Sequence, residues 1–291
     1  MRLTGRIFKR YQCFLKNGTY ELNPSRTCFT LQETETTDGV RDFATEVTGR
    51  SRFRIRRKYY ARIHGGKFQC TKMLLADGGN VAKCFDFSQG IVVSIFKTTE
   101  RMRVWLQQRE TFCADFPTSN ILDYNEEECY VVEELLRDTT TSAEEKWLYV
   151  LKYYSGHVFD VEKEESHPFP NVLQHGDLWS ANVFCNHGEC KFIDFDHAGS
   201  HMFFYDLALF MFTEAFIKKN KELLEGYLQG KYDTWIHKLC VMYGVEYETI
   251  GRKQLFAYAM MEMISTRFNN RAGEKVTVSI TEYLRDMGIE L

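Results

Sequence analysis

Two short segments of the sequence place acidic, amide and imidazole side chains at fixed offsets beside apolar runs. The first reads QHGDLWSANVF, residues 174–184, and the second reads FIDFDHAG, residues 192–199. Asp177 precedes Asn182 by five residues, and a predicted hairpin with its turn at NHGE returns the chain to Asp194. One carboxylate can orient or deprotonate a hydroxyl, while an amide and a second carboxylate can hold Mg²⁺ against phosphate oxygens. This pattern suits phosphoryl transfer.

The same residues carry a resemblance to a known family. HGDLWSAN matches a catalytic loop of the form H-x-D, four residues and Asn, and IDFD matches the strand end that follows it. YDLA, residues 205–208, is similar to the Asp-capped helix after the metal loop. On these motifs the sequence resembles the aminoglycoside phosphotransferase and choline kinase group of the protein-kinase-like fold, and HGDLWS is also similar to fructosamine kinases.

The resemblance implies a role for each motif residue. It implies that Asp177 is the catalytic base and that Asn182 and Asp194 are Mg²⁺ ligands. His175 is implied as an organiser of the loop and Asp206 as a structural residue. ATP and Mg²⁺ are the implied cofactors.

Protein kinases proper fit the sequence less well. The Arg of their H-R-D motif is Gly176, the Gly of D-F-G is Asp196, and no A-P-E motif follows. We therefore expect a small-molecule kinase rather than a protein kinase.

The lysine that kinases use to hold the α- and β-phosphates is missing from its usual strand. If GIVVSIFK is that strand, Ser94 occupies the lysine position. Lys83 in NVAKCF and Lys97 at the end of SIFK are the two candidates, and a register with NVAKCF as the lysine strand also favours Lys83. The carboxylate partner is open between Glu100 and Glu110.

Nucleotide and acceptor sites are expected on either side of the catalytic loop. Adenine is expected against VVEELL, with backbone hydrogen bonds around Glu133 to Leu135. The acceptor is expected between the HGDLWS loop and the last helices, near Phe203, Phe204, Tyr205, Glu214 and Glu262. Carboxylates with aromatic rings favour a cationic or amino-bearing acceptor, by charge pairing and cation–π contact.

Periodicity predicts an α+β fold with two lobes, as in protein kinases. Residues 1–49 are polar and turn-rich and are expected to form an N-terminal extension. Residues 50–132 are expected to form a small antiparallel sheet with one helix, capped by Thr98 or Thr99. Residues 133–291 are expected to form a larger helical lobe carrying the catalytic loop, the metal site and the substrate-binding helices. A capping box at Ser142 and Glu145 predicts the start of its first helix.

Charge is distributed unevenly along the 291 residues. Residues 1–75 hold 16 Lys and Arg against 6 Asp and Glu, whereas the whole chain has a net charge of -3. The densest basic segment, Arg50 to Lys72, has arginines alternating with apolar residues, as in a strand with one cationic face. This face suits an anionic surface, membrane or glycan, or it pairs with the acidic remainder of the chain. We expect no nucleic-acid partner.

The remaining composition favours a cytoplasmic globular protein. The hydrophobic fraction is 44% and no apolar run is long enough for a membrane span. Nine cysteines without regular spacing argue against a disulfide framework and for a reducing compartment. We expect an ATP- and Mg²⁺-dependent phosphotransferase acting on a hydroxyl of a small molecule or glycan: an amino sugar, a choline-like amine, a sugar or a surface-polysaccharide precursor. The alternative, motivated by the displaced lysine, is a pseudokinase that binds a nucleotide or a partner without catalysis.

Overall fold

The computed structural model of the chain contains two compact units. The described residues are 11, 14–22, 28–31, 45–51, 54–63, 68–76, 79–138, 142–162, 168–186, 188–267 and 273–291. The first unit comprises Met1–Gln107 and Ser119–Leu136, and the second comprises Gln108–Thr118 and Arg137–Leu291. Strands dominate the first unit and helices the second, which confirms the predicted α+β class.

Nine strands form one sheet in the described part of the first unit. They are β1 (Gly18–Leu22), β2 (Cys28–Leu31), β3 (Thr45–Ser51), β4 (Arg54–Ile63), β5 (Lys72–Ala76), β6 (Val81–Asp86), β7 (Ile91–Phe96), β8 (Ile121–Asn125) and β9 (Tyr130–Glu134). Their order across the sheet is β3-β4-β1-β2-β5-β6-β7-β9-β8, and neighbouring strands pair antiparallel. The antiparallel sheet predicted for the N-terminal half is therefore confirmed.

The N-terminal residues expected to be an extension contribute strands to this sheet. β1 and β2 lie between β4 and β5. Tyr20 of β1 is fully buried, and its hydroxyl donates to the carbonyls of Lys16 and Cys70, at 2.9 Å each. The strands are short and flanked by turn residues, so polar composition concealed the alternation that buries Tyr20 and Leu22.

The basic segment Arg50 to Lys72 is not a single strand. β3 ends at Ser51 and β4 begins at Arg54, so the run of alternating arginines crosses from one strand to the next. Gly49 pairs with Arg56, and Ser51 pairs with Arg54. The expected single strand is therefore replaced by two paired strands. The side chains of these arginines are outside the described part of the structure. Their expected contact with an anionic surface therefore stays a prediction.

One helix, α1 (Thr99–Cys113), follows β7 where the sequence predicted it. The Thr98 hydroxyl accepts a hydrogen bond from the backbone N–H of Arg101 at 3.3 Å, as an N-terminal cap does. Met102 is fully buried on the apolar side of the helix. After α1 the chain forms the edge strand β8 and then returns as β9 between β8 and β7.

Helices and short strands make up the second unit. Its helices are α2 (Ala143–Tyr154), α3 (Tyr205–Phe212), a π-helical turn (Thr213–Ile217), α4 (Glu222–Leu228), α5 (Asp233–Met242), α6 (Tyr247–Ile250), α7 (Arg252–Arg267) and α8 (Gly273–Asp286). Its strands are β10 (Val161–Glu162), β11 (Asn171–Gln174), β12 (Val183–Asn186), β13 (Glu189–Phe192) and β14 (Gly199–Met202). β12 and β13 form the predicted hairpin, while β10, β11 and β14 form a separate sheet. No helix in the described part of the chain is long and apolar enough to cross a bilayer.

The apolar stripes predicted for these helices form one core. The Ser142–Glu145 capping box is confirmed and begins α2, and Trp147 on that helix is fully buried. The Trp147 indole Nε1–H donates to the Leu207 carbonyl of α3 at 3.0 Å. α2 is therefore attached to the helix that follows the motif region both by packing and by a buried hydrogen bond.

Cys185 and Cys190 form a disulfide. They face each other in the β12–β13 register, which brings their side chains together. This bond was not predicted from the irregular spacing of the nine cysteines. Six other cysteines among the described residues are free thiols, so no disulfide framework is present there.

We predict that Trp147→Phe lowers the free energy of unfolding by about 1 to 3 kcal/mol, because it removes one buried hydrogen bond and part of a buried ring. Chemical denaturation measures the loss. Trp235→Phe is the matched control, because Trp235 on α5 is only partly buried, and it should cost less. Equal losses in the two variants would contradict the anchoring role of Trp147.

Candidate functional site

The predicted catalytic loop is attached to the second unit by the carboxylate of Asp206 in the first turn of α3. Asp206 Oδ2 accepts from the backbone N–H of His175 at 2.6 Å, and Oδ1 accepts from that of Gly176 at 2.9 Å. The Tyr154 hydroxyl of α2 also donates to Oδ2, at 2.5 Å. Burial and the Asp206 charge raise the pKa of Tyr154 well above its ordinary value, so the phenol keeps its proton and donates. Asp206 thus fixes the loop backbone immediately before Asp177.

The glycine at position 176 has a structural cause. Gly176 has a φ of +76°, in the left-handed region, and a Cβ there would overlap the carbonyl oxygen of His197. An arginine, which protein kinases carry at this position, would therefore not fit this loop. The departure from H-R-D that the sequence shows follows from the close approach of the two backbone segments.

His175 and Asn182 support the loop from inside. His175 is fully buried; its Nε2 lies 2.7 Å from the Ile193 carbonyl, and its Nδ1 accepts from the backbone N–H of Asp177 at 3.3 Å. Because Nδ1 accepts, the proton is on Nε2, which donates to Ile193. Asn182 Nδ2–H donates to the Asp177 carbonyl at 2.8 Å.

Asp194 follows the end of β13, one residue beyond the position that pairs with Asn182. The backbone N–H of Ile193 donates to the Asn182 carbonyl at 3.1 Å, so the two candidate metal ligands lie at the same end of the hairpin. Asp194 is exposed and has a φ of +71°. A left-handed backbone at a non-glycine residue costs energy and is often found at functional sites. Amide and carboxylate oxygens are donors that Mg²⁺ prefers, so this pair fits a metal that completes its coordination with water and phosphate oxygens.

No group of three or more His, Cys, Asp or Glu side chains suited to a metal ion occurs among the described residues. A site with one amide, one carboxylate and nucleotide oxygens does not require such a group. The candidate metal site is therefore of the kind that a nucleotide completes.

Sequence reasoning missed Lys146, which holds the segment around Asn182. Its buried ammonium donates to the carbonyls of Ser180 and Val183, at 2.9 and 2.7 Å, and pairs with the carboxylate of Asp138. All three ammonium hydrogens thus have acceptors. Lys146 lies on the apolar stripe of α2, four residues before Val150, and a lysine in such a stripe was the available signal.

Arg267, at the end of α7, was also missed. Its Nη1 donates to Asp177 Oδ1 at 2.7 Å, its Nη2 donates to the Gly176 carbonyl, and its Nε donates to the Tyr205 hydroxyl at 3.2 Å. Burial opposes the guanidinium charge, but Tyr205 and Asp177 outweigh it and raise the pKa of Arg267. No motif identifies this arginine, because 90 residues separate it from its carboxylate partner.

Two of the aromatic residues expected beside the acceptor are core residues. Phe203 is 0% exposed and packs against Phe169 and Tyr243, so the prediction that it contacts substrate is wrong for this structure. Phe204 is equally buried. Both precede α3, whose eight residues are all buried. The Tyr205 ring is also buried. Its hydroxyl accepts a hydrogen bond from Arg267, which in turn contacts Asp177.

The two candidate acceptor carboxylates are paired with nearby donors. Glu262 accepts from the backbone N–H of Met202 at 3.1 Å and pairs with His201 at 2.8 Å. Burial disfavours the imidazolium, but its hydrogen bond to Glu262 and the charges of Asp206 and Glu262 outweigh it and raise the pKa of His201. The His201 ring stacks on Tyr205, with centroids 4.4 Å apart.

Glu214 lies in the π-helical turn and is only 3% exposed. Its Oε1 is 3.0 Å from Lys218 Nζ, which is an ion-pair distance without hydrogen-bond geometry. Lys218 is 37% exposed, contacts the Ser180 hydroxyl, and lies 5.0 Å from the centroid of the Trp179 ring. The charge presented to solvent at this position is therefore that of Lys218.

In the first unit, Lys83 and Ser94 are directly opposite each other on β6 and β7. Directly paired residues of antiparallel strands have side chains on the same face. Ser94 is buried and its hydroxyl lies 3.5 Å from Glu133 Oε2, whereas Ser119 donates to Glu133 Oε1 at 2.8 Å. The Lys83 side chain therefore leaves the sheet next to Ser94, the residue at the usual lysine position. It lies on the same face of the sheet as Glu133.

The other nucleotide candidates are placed differently. Lys97 is exposed after the end of β7, and its ammonium donates to Asn80 Oδ1 at 3.2 Å. The backbone N–H of Leu135 donates to the Gly90 carbonyl at 2.7 Å and so is already used within the sheet. Glu100 and Glu110 are both exposed on α1. The geometry of this unit thus favours Lys83 over Lys97.

Comparison with known proteins gives a family match over part of the chain. Residues 117–236 match the model of the phosphotransferase enzyme family, a range that contains all three motifs. Similar solved structures include an aminoglycoside phosphotransferase, APH(3'')-Id from Streptomyces rimosus, with 12% identity, coverage of 64% of this chain and 90% of that one, and a TM-score of 0.41. The choline kinase LicA from Streptococcus pneumoniae is 12% identical, with coverage of 72% and 90% and a TM-score of 0.39.

A third similar structure is the amicoumacin kinase hAmiN in complex with AMP-PNP, Ca²⁺ and Ami, with 10% identity, coverage of 71% and 85%, and a TM-score of 0.38. Comparison with curated protein sequences gave no significant match. The resemblance read from the loop motif is confirmed by the family model, which matches residues 117–236 of this chain.

Proposed function

We propose that this protein is an ATP- and Mg²⁺-dependent phosphotransferase that phosphorylates a hydroxyl group of a small molecule or glycan. The observation that carries the proposal is the catalytic loop: Asp177 lies on a backbone fixed by Asp206, and its side chain is 29% exposed. A fixed backbone under a solvent-accessible carboxylate is what a general base requires. The family match over the same residues supports this class of reaction.

In the proposed mechanism Asp177 receives the proton of the acceptor hydroxyl. Asp177 Oδ1 is bound by Arg267, and among the described residues Oδ2 takes no hydrogen bond. An acceptor hydroxyl at 2.6–3.2 Å from Oδ2 would be oriented by the carboxylate and would lose its proton to it as the oxygen attacks the γ-phosphorus of ATP. ADP would leave from the side of the γ-phosphorus opposite the attacking oxygen, with the bond to its β-phosphate oxygen broken.

Asn182 and Asp194 are the proposed ligands of Mg²⁺. Asn182 Nδ2–H is held by the Asp177 carbonyl, so rotation of the amide is restricted and Oδ1 is left as the metal-binding atom. Lys146 keeps the surrounding backbone in place through Ser180 and Val183. When bound, the metal would neutralise charge on the phosphate oxygens. The part played by the chain is to hold two oxygen donors in fixed positions.

Lys83 is the proposed phosphate-binding lysine. Its cross-strand partner is Ser94, the residue at the usual lysine position, so a side chain from the neighbouring strand can supply the ammonium instead. Glu133, on the same face and hydrogen-bonded to Ser119, is a further carboxylate that can orient it. Lys97 is the weaker alternative, since its ammonium is exposed and bound to Asn80.

A second candidate function is nucleotide or partner binding without catalysis. Two observations favour it: Ser94 replaces the usual lysine, and Arg267 occupies one oxygen of the candidate base. Cytoplasmic location remains a prediction, supported by the six free thiols and tested by cell fractionation.

We predict that Asp177→Asn lowers kcat by about 10²- to 10⁴-fold, because the amide cannot accept the hydroxyl proton. The rise in melting temperature on adding ATP and Mg²⁺ should be retained, because the base contacts the acceptor rather than the nucleotide. Acceptor-dependent ADP release and thermal unfolding measure the two effects. Asp160→Asn, an exposed site in the same unit, is the control.

The two functions give different results. Wild-type ADP release that depends on an acceptor and disappears in Asp177→Asn supports catalysis by this residue. A melting shift with ATP and Mg²⁺ but no ADP release under any condition would favour the non-catalytic function. Full turnover in Asp177→Asn would exclude the proposed base.

We predict that Lys83→Met raises the KM for ATP about 10- to 100-fold, because a hydrogen bond from a charged donor to phosphate contributes about 1.5 to 3 kcal/mol. Lys97→Met is the matched control and should change this KM less than threefold, within the effect of an exposed charge. Steady-state kinetics at saturating Mg²⁺ give both values. The assignment fails if Lys97→Met shows the larger change.

A further inference from the structure

We propose that the phosphate acceptor carries an anionic group, a carboxylate or a phosphate, near its reacting hydroxyl, and that Arg267 binds this group. The inference rests on the proposed function, because it concerns the molecule that Asp177 would deprotonate. It also deepens that function, because it selects one chemical class from acceptors that range from amino sugars to anionic glycans.

The first observation is the position of the Arg267 guanidinium. It contacts the carboxylate of Asp177, the carbonyl of Gly176 and the hydroxyl of Tyr205. A guanidinium has five N–H groups, so these contacts leave two without a partner among the described residues. Arg267 is 24% exposed, so those donors can reach a bound molecule.

The second observation is that one cation contacts the base directly. A guanidinium can bridge two carboxylates, because its donors point in several directions within one plane. The acceptor anion would otherwise be repelled by Asp177, and Arg267 between them reverses the sign of that interaction. Since Arg267 Nη1 is 2.7 Å from Asp177 Oδ1, the anion would lie within roughly 8 Å of the reacting hydroxyl, the span of a hydroxy acid or sugar acid.

The third observation is the charge along the rest of the loop. Lys218 contacts Ser180, three residues after Asp177, and is far more exposed than the Glu214 carboxylate with which it pairs. Two cations from different helical segments thus contact the HGDLWS loop. A negatively charged acceptor would be attracted by both.

The fourth observation concerns the carboxylates that a cationic acceptor would need. Glu262 is occupied by His201 and the Met202 N–H, and Glu214 is buried. An ammonium group placed near them would have to displace a protonatable imidazole or a lysine. The expectation that these two acids attract an amino-bearing acceptor is therefore not supported by their contacts.

The experiment compares four acceptors that share a hexose ring: D-glucose, D-glucosamine, D-glucuronate and glucose 6-phosphate. Acceptor-dependent ADP release is measured with the full chain, ATP and Mg²⁺, and each acceptor is also tested for a melting shift in the presence of ADP and Mg²⁺. We expect kcat/KM for at least one anionic acceptor to exceed that for glucose and glucosamine by tenfold or more. Glucuronate and glucose 6-phosphate separate a carboxylate from a phosphate preference.

Variants separate binding of the anion from positioning of the base. Arg267→Gln should lower the ratio of kcat/KM between the anionic and neutral acceptors about 10- to 100-fold, with the KM for ATP unchanged. Arg267→Lys should keep part of the ratio, because a lysine supplies charge without the forked geometry. Arg285→Gln, an exposed arginine on α8, is the matched control and should leave the ratio unchanged.

Each outcome supports or overturns the inference. If kcat/KM for glucose or glucosamine equals that for the anionic acceptors, the inference is overturned, while the proposed phosphotransferase function stands. A uniform loss with all acceptors in Arg267→Gln also overturns it, because Arg267 then only positions Asp177. If no acceptor is phosphorylated but glucuronate or glucose 6-phosphate gives an Arg267-dependent melting shift, the proposed function fails and the anion site stands. If the anionic compounds give neither turnover nor a melting shift, the inference is overturned.

If Arg267→Gln does not give folded protein, Lys218→Gln takes its place. Retention of the melting shift with ATP and Mg²⁺ shows that a variant is folded. In Lys218→Gln the same ratio should fall by a smaller factor, since Lys218 contacts the loop three residues away from the base. An unchanged ratio in that variant and in Arg267→Lys would overturn the inference.

Discussion

The buried carboxylate of Asp206 is the interaction on which the candidate site depends. A carboxylate removed from water needs several donors to offset its desolvation, and Asp206 has two backbone N–H groups and the Tyr154 hydroxyl. Its own backbone N–H donates to the Gln174 side chain at 3.1 Å. These bonds join β11, the catalytic loop, α2 and α3 into one network. Replacing any member would leave the others unsatisfied, so the loop is held more firmly than packing alone would hold it.

The residues around Asp177 are arranged by charge compensation. Asp177 is paired with Arg267, Glu262 with His201 and Glu214 with Lys218. The first two pairs join the loop and β14 to α7, which is distant in the sequence, whereas Glu214 and Lys218 lie four residues apart in one segment. Compensation also changes what the surface presents, because the acid is buried in the Glu214–Lys218 pair and the cation is exposed. Counting acidic residues along the sequence therefore does not give the sign of the charge that this pair exposes.

The first unit shows how strand register can replace a residue on one strand by a residue on the next. Ser94 is buried at the position where a lysine was expected, and Lys83 pairs with it across β6 and β7. A side chain on the neighbouring strand begins only about 5 Å away and lies on the same face. The chemical role of a lysine can therefore be kept while its place in the sequence changes. The proposed phosphate-binding role of Lys83 follows from this register.

Local sequence determined the features that depend on near neighbours. The β12–β13 hairpin, the Thr98 cap, the Ser142–Glu145 capping box and the start of α3 at Tyr205 were all predictable, because turn chemistry, capping and periodicity act over a few residues. The spacing of Asp177, Asn182 and Asp194 pointed to phosphoryl transfer for the same reason. Strands β1 and β2 were not placed individually, because they are only five and four residues long and their partners β4 and β5 are distant in the sequence.

Only the tertiary structure decided which charges meet. Arg267 reaches Asp177 across 90 residues, and Lys146 reaches Val183 across 37, with no motif to announce either contact. The same holds for burial: Phe203 and Phe204 read as pocket-lining aromatics in the sequence but are enclosed in the core. A side chain's partner and exposure depend on how distant elements pack, and a pattern of neighbouring residues contains no information on that packing. The chemistry of the loop was thus readable from the sequence, whereas the charge of its surroundings was decided by the fold.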